Sequence, residues 1–302
     1  MSIFVPKKRI YNCHCYILLK MTTTRYYNVA RHVMALTAED DIFALLDNCR
    51  PFEVVPSEPL ISIVIRDKAP LPDVWTEEWR QEEEGDEIAC GHVDGYPLFV
   101  FRSRGKMAGW LTCDSDYHSA TLTLGELPKL AIDNVMMIVY ALATAEMNTL
   151  LFHASVVCRE GKAYMFLGPS GTGKSTHTRL WLRYIEGSRL LNDDNPVVRI
   201  ENDGRAEVYG SPWSGKTPCY VNEHYPLGSI VRLKQAPYNA IRPMSPVEAY
   251  ATMASSVSGK RWEKSIADGL HRALNSLTAT TRLWQMECLP DEAAAKMTSG
   301  TI

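Results

Sequence analysis

Residues 163–175 read Ala163-Tyr164-Met165-Phe166-Leu167-Gly168-Pro169-Ser170-Gly171-Thr172-Gly173-Lys174-Ser175. A short apolar run leads into a full G-x-x-x-x-G-K-[ST] loop. Ala163–Leu167 is expected to be a strand. Leu180, Trp181, Tyr184 and Ile185 mark an amphipathic helix beginning near Lys174. Glycines let the backbone curl so that successive N–H groups converge on phosphate oxygens. The helix start adds its positive end. In such a loop the lysine reaches the β- and γ-phosphates and the Ser175 hydroxyl ligates Mg²⁺. The expected nucleotide site is therefore Gly168, Pro169, Ser170, Gly171, Thr172, Gly173, Lys174, Ser175 and Thr176, with ATP and Mg²⁺ as cofactors.

The residues before this loop constrain the sheet. Leu150–Cys158 reads as a strand, and Arg159-Glu160-Gly161-Lys162 as the turn that joins it to the next. Strands linked so briefly pair antiparallel, because a parallel crossover needs about a dozen residues or more. The phosphate-loop strand is thus expected to have an antiparallel neighbour, unlike a mainly parallel nucleotide-binding sheet.

Downstream, Arg189–Leu191 reads as a strand ending at Asn192-Asp193-Asp194. A phosphate site needs a carboxylate for Mg²⁺, and phosphoryl transfer to a hydroxyl needs a proton acceptor. Adjacent carboxylates at a strand end suit both tasks, although Asn-Asp-Asp-Asn-Pro is also good turn chemistry. His153 lies in the first strand of the hairpin. Gly210–Thr217 is a second small-residue loop, in which Ser214, Gly215 and Lys216 form a candidate lid.

The remaining chain reads as two parts. Residues 22–125 are β-rich, with strands at Phe52–Val55, Leu60–Ile65, Tyr96–Arg102, Trp110–Cys113 and Ala120–Leu124. The acidic stretch Gln81–Glu87 reads as a solvated loop. Leu127–Asn148 is a largely apolar helix. Val197–Ile200 and Ala206–Tyr209 form a hairpin, and Ile230–Leu233 is a strand. Ser245-Pro246-Val247-Glu248 is a capping box with proline at the first helical position. Trp262–Leu277 is a helix, Arg282–Cys288 a strand, and Asp291 opens the last helix. The expected division is a leader at 1–20 that is non-native or disordered, a β-rich domain at 21–125, and an α/β nucleotide-binding domain at 126–302.

The chain has 302 residues and a net charge of −3, with 46% hydrophobic and 22% charged residues. That balance fits a globular protein and gives no footprint for nucleic acid or an anionic membrane. Lys7-Lys8-Arg9 before Ile10–Leu19 has the outline of a signal peptide, but Asn12 and His14 interrupt it and no cleavage site follows. The longest apolar run, Val135–Ala145, falls short of the roughly 20 residues a membrane span needs. Eight scattered cysteines without a CxxC pair read as free thiols in a reducing cytoplasm. Cys13-His14-Cys15 lacks a second ligand pair for zinc.

The order His153-Ala154-Ser155, hairpin, Gly168–Thr176, Asp193-Asp194 resembles the catalytic domain of HPr kinase/phosphorylase and its smaller serine kinase-like relatives. That family shares its phosphate-binding core with ATP-dependent phosphoenolpyruvate (PEP) carboxykinase. Gly210–Lys216, Pro226-Leu227-Gly228-Ser229-Ile230, Leu233-Lys234-Gln235-Ala236-Pro237 and Pro290–Ala294 continue the likeness, which covers about residues 150–302. It implies an α/β fold with a PEP carboxykinase/HPr kinase-like P-loop core and mixed sheet. It also implies Asp193 as the base, Asp194 and Ser175 as metal ligands, Lys174 and His153 at the transferred phosphate, and Lys216 on a closing loop. Two features depart from HPr kinase/phosphorylase itself. Thr176 replaces the usual Glu, and the long C-terminal signature of the phosphorylase and hexamer is not evident. The expected activity is transfer of the ATP γ-phosphoryl group to a hydroxyl, on a protein or peptide serine or on a small molecule. The alternatives are a carboxykinase-like enzyme and a non-catalytic nucleotide sensor. Homo-oligomerisation stays open.

Overall fold

The computed structural model describes residues 22–215 and 217–302. The leader, Cys13-His14-Cys15 and Lys216 lie outside the described residues.

The fold is α/β with two mixed nine-stranded sheets. The first is built from β1 (Thr22–Val29), β2 (His32–Glu39), β3 (Glu53–Val54), β4 (Ile61–Arg66), β5 (Thr76–Glu83), β6 (Asp86–Val93), β7 (Tyr96–Ser103), β8 (Lys106–Cys113) and β9 (Ser119–Leu124). Their order is β3-β1-β2-β4-β9-β8-β7-β6-β5. The β2–β4 and β4–β9 pairs are parallel and the rest antiparallel. Phe52, expected in a strand, instead ends a 3₁₀ turn over Asp47–Phe52, where Pro51 favours the tighter turn. The short helix α1 (Asp40–Phe43) follows β2.

The acidic stretch Gln81–Glu87 is not a loop. It forms the tip of the β5–β6 hairpin, with Glu84 at φ 53° and Gly85 at φ 90° in the turn. Opposite charges across the ladder hold it: Glu87 meets Arg80 of β5 and Arg102 of β7, while Arg80 also bonds Glu77 on its own strand. Strand β5 is an edge strand exposed along its whole length, and a charged edge resists pairing with other chains.

The helix α2 (Pro128–Ala143) packs on β4, β8 and β9 and touches β10 (Thr149–Leu151) of the second sheet. Its fully buried Tyr140 donates to the Val29 carbonyl at 3.1 Å and packs at a tilt against Trp213, with ring centroids 5.3 Å apart. One hydrophobic cluster runs continuously from the first sheet through α2 into the second. At another contact, the buried Lys260 reaches the Tyr117 hydroxyl at 3.1 Å and Glu263 at 3.0 Å.

The second sheet contains β10, β11 (Ala154–Arg159), β12 (Lys162–Leu167), β13 (Arg189–Asn192), β14 (Val197–Ile200), β15 (Ala206–Tyr209), β16 (His224–Gln235), β17 (Ala240–Pro243) and β18 (Leu283–Cys288). The β11–β12 pair is antiparallel with Arg159 opposite Lys162, as the four-residue turn requires. On its other edge β12 pairs parallel with β16, which itself pairs parallel with β18. The expected strand Leu150–Cys158 divides in two. Its first part pairs with β14, its second with β12 and β13, and the break falls at Phe152-His153.

Helices α3 (Lys174–Tyr184) and α6 (Glu292–Thr301) cover one face, while α4 (Pro246–Ala254) and α5 (Lys264–Thr280) pack together elsewhere. Ser245 caps α4 in the full reciprocal capping box, and Asp291 caps α6 through the Ala294 N–H. Among the described residues no helix is long and apolar enough to cross a membrane.

Two buried histidines make the fold acid-sensitive. His32 bonds Thr149 and His177 bonds Thr298, each at 3.0 Å. Burial lowers both pKa values to about 4. The unfolded chain takes up these protons near pH 6.5 and the folded chain only near pH 4. Stability is therefore complete above pH 6.5 and falls as pH drops through that window, by about 2 kcal/mol per histidine at pH 5. Urea midpoints at pH 7 and pH 5 should show this loss, and a flat profile would contradict neutral buried imidazoles.

Candidate functional site

The phosphate loop bridges β12 and α3. Gly171 has φ +75° and Gly173 φ +108°, backbone that side-chain-bearing residues rarely adopt. Neither would meet another atom through a Cβ, so the demand is conformational. The Thr172 hydroxyl donates to the Pro169 carbonyl at 2.7 Å and tightens the curl. Lys174, 9% exposed, folds back so that its ammonium donates to the Gly168 carbonyl at 2.9 Å. Burial lowers the Lys174 pKa, against the raising fields of Asp194, Asp193 and Glu83. Ser175 follows in the first turn of α3.

Asp193 and Asp194 follow β13 directly, and their surroundings separate them. Asp193 is buried; its Oδ1 accepts from the Ser155 hydroxyl at 2.6 Å. Its Oδ2 is also buried and has no partner among the described residues. Asp194 is more open. One oxygen accepts from Asn195 at 2.9 Å and the other lies 3.4 Å from His153 Nε2. Burial raises the Asp194 pKa, and neighbouring Asp193 adds to that; His153 and Lys174 act against it. For His153 burial comes first and Lys174 second, and both lower its pKa against Asp194 and Glu83. The imidazole is therefore favoured neutral at pH 7.

The break between β10 and β11 creates this juxtaposition. The His153 N–H donates to the Ser256 carbonyl at 2.7 Å and the Ala154 N–H to the Asp194 carbonyl at 2.8 Å. The strand thus leaves one ladder and enters another with His153 at the bend, beside the aspartate loop. Asn192 shapes that loop: its Oδ1 accepts from the Asp194 N–H at 2.9 Å and its amide donates to Ser211 Oγ at 3.1 Å.

The candidate lid is tied to the same loop. A Cβ on Gly215 would come 3.0 Å from the Asp193 carbonyl oxygen and 3.3 Å from the Asp194 Cβ, so a larger residue would press the aspartate loop by a few tenths of an ångström. Ser214 Oγ donates to the Thr217 carbonyl at 2.7 Å.

Several residues here had no role assigned from sequence. Ser155 bonds Asp193 and also lies 3.0 Å from Thr178 Oγ1. Its sequence signal was its place in the His153-Ala154-Ser155 motif, which gave it no role of its own. Gln235 donates to the Gly171 carbonyl at 3.1 Å, fixing the loop from β16. Glu83, from the hairpin misread as a loop, lies near enough for its charge to act on Lys174 and His153.

Two clefts of about 670 and 680 Å³ flank the loop. The first runs from Gly171–Gly173 past Leu180 and Leu233 to Leu289 and Pro290, and is mainly apolar. Among the described residues no group of three or more His, Cys, Asp or Glu is placed to hold a metal. A phosphate-bound Mg²⁺ does not need one, since it uses one or two carboxylates plus phosphate oxygens and water. Asp194 and Ser175 carry oxygen donors of the kind such a hard cation takes.

No curated protein matches the chain. A family model described as SynChlorMet cassette protein ScmC matches residues 121–282. The match includes the phosphate loop, both aspartates and His153, and covers more than half of the sequence. The chain belongs to the ScmC family of SynChlorMet cassette proteins.

Proposed function

We propose that this protein is an ATP-dependent phosphotransferase with an HPr kinase-like, PEP carboxykinase-type core, acting in the cytoplasm. The carrying observation is the convergence of the Lys174 loop with a buried aspartate, one of whose carboxylate oxygens has no partner among the described residues. The ATP phosphates lie on the Gly171–Ser175 N–H groups, and the nucleoside runs into the apolar cleft beside Leu233 and Leu289. Ser175 and Asp194 would hold Mg²⁺, which when bound would neutralise phosphate charge. Ser155 fixes Asp193 so that Oδ2 faces the incoming hydroxyl. The hydroxyl proton passes to Asp193 as the acceptor oxygen bonds the γ-phosphorus. The bond to the β–γ bridging oxygen breaks, and its electron pair leaves with ADP. Lys174 balances the charge that develops. Neutral His153 orients Asp194.

Isothermal titration of ATP with Mg²⁺ tests this reading. Saturable binding that disappears on chelation of Mg²⁺ is expected. Absence of binding at millimolar ATP would overturn it.

A further inference from the structure

Asp194 also lines a smaller cavity of about 190 Å³. Asn48 lines it from the 3₁₀ turn before β3, Asp133 and Asn134 from α2, and Asp194, Trp213 and Ser214 from the second sheet's loops. Both parts of the chain therefore contribute to it. At about 30 Å³ per water it holds the equivalent of roughly six waters, the size of a small metabolite or one side chain.

Its wall is prearranged. Asn48 donates to Asp133 Oδ1 at 3.2 Å and to the Pro212 carbonyl at 3.0 Å. It also accepts from Lys129 at 3.0 Å, and Lys129 pairs with Asp133 Oδ2. A carboxylate has about four lone-pair sites, so Asp133 keeps capacity for another donor. Asp133 and Asp194 are the charged groups among the described lining residues, and both are acidic. Trp213, also in the lining, is 5% exposed, and its buried indole N–H has no acceptor among the described residues.

We propose that this cavity is the acceptor subsite and takes a small hydroxylated amine. The ammonium bonds Asp133, a ligand oxygen accepts from Trp213, and the hydroxyl lies beside Asp194, next to Asp193. This rests on the kinase reading and adds the acceptor's chemical class. An anionic hydroxy acid is disfavoured chiefly by Asp194, since Asp133 already shares its charge with the Lys129 ammonium. Glu83 adds further negative charge on the Lys174 and His153 side. A role for the N-terminal part follows directly: its Asn48 completes the specificity wall.

The test is phosphoryl transfer from γ-labelled ATP to ethanolamine, serinamide, glycerate and a serine-containing peptide. Labelling of ethanolamine or serinamide, at least tenfold above glycerate, is expected. Asp133→Asn should raise the KM for the amine about tenfold or more while leaving the KM for ATP unchanged. Met137→Trp, which fills the cavity from its lining, should do the same without touching the Lys129–Asp133–Asn48 network. If ATP with Mg²⁺ binds but neither amine is labelled, or glycerate serves equally, the inference fails and the kinase reading stands. Labelling of the peptide alone assigns the acceptor to a macromolecule and also overturns it. If ATP does not bind, the kinase reading itself falls.

Discussion

Asp193→Asn is expected to lower kcat by about 10²–10⁴-fold while ATP still binds, the range for loss of a positioned general base. Asp193 is buried, with Ser155 on Oδ1 at 2.6 Å and no partner on Oδ2 among the described residues. The amide oxygen of asparagine can still accept from Ser155, which keeps the side chain in place. The nitrogen then replaces Oδ2 and cannot take a proton. Binding and turnover should therefore separate: titration with ATP and Mg²⁺ gives a near-normal affinity, and single-turnover transfer collapses. Wild-type rates in the variant would remove Asp193 from the base role. Ser155→Ala should give a smaller fall, because the base survives but loses the contact that aims it.

Lys174→Ala is expected to weaken ATP binding by about 10–100-fold, the worth of roughly 1.5–3 kcal/mol for a hydrogen bond to a charged group. It should also lower kcat by about 10²–10³-fold, because its charge counts most as the γ-phosphoryl group departs. Arginine should not rescue it, since a planar fork does not fit a loop shaped around a point charge.

The stability of Lys174→Met separates loss of function from misfolding. Burial lowers the Lys174 pKa in the folded state, so its charge costs stability below that pKa and costs nothing above the unfolded value near 10.5. At neutral pH the methionine variant should therefore melt no lower than wild type. A clear drop in melting temperature would mean that the bonds to the Gly168 and Pro169 carbonyls matter more for folding than burial of the charge. The same logic applies to pH. Asp194 must be ionised to bind a metal, and its pKa is raised, so activity should fall on the acid side sooner than for an ordinary carboxylate. That limb should move to lower pH as the Mg²⁺ concentration is raised, because metal and proton compete for the same carboxylate.

The sequence by itself determined the local pieces whose causes are short-range. Glycines at 171 and 173 before Lys174 dictated a curled loop. The four-residue turn at Arg159–Lys162 allowed only an antiparallel neighbour, because the chain cannot reach any other pairing. Ser245 and Glu248 announced their capping box, since all its partners lie within four residues.

The tertiary structure alone decided what depends on distant partners. The break at Phe152-His153 has no local signal; it arises because β14 claims one half of the strand and β12 and β13 the other. The charge run at Gln81–Glu87 became a hairpin because Arg80 and Arg102 sit across the ladder, and its own composition looked like a loop. Ser155 became a partner of Asp193 only when β11 and β13 were laid side by side. The cavity at Asp194 needed Asn48 and Asp133 from a part of the chain that carries no motif. Pairing and burial across more than a hundred residues are set by packing and leave little trace in neighbouring residue types.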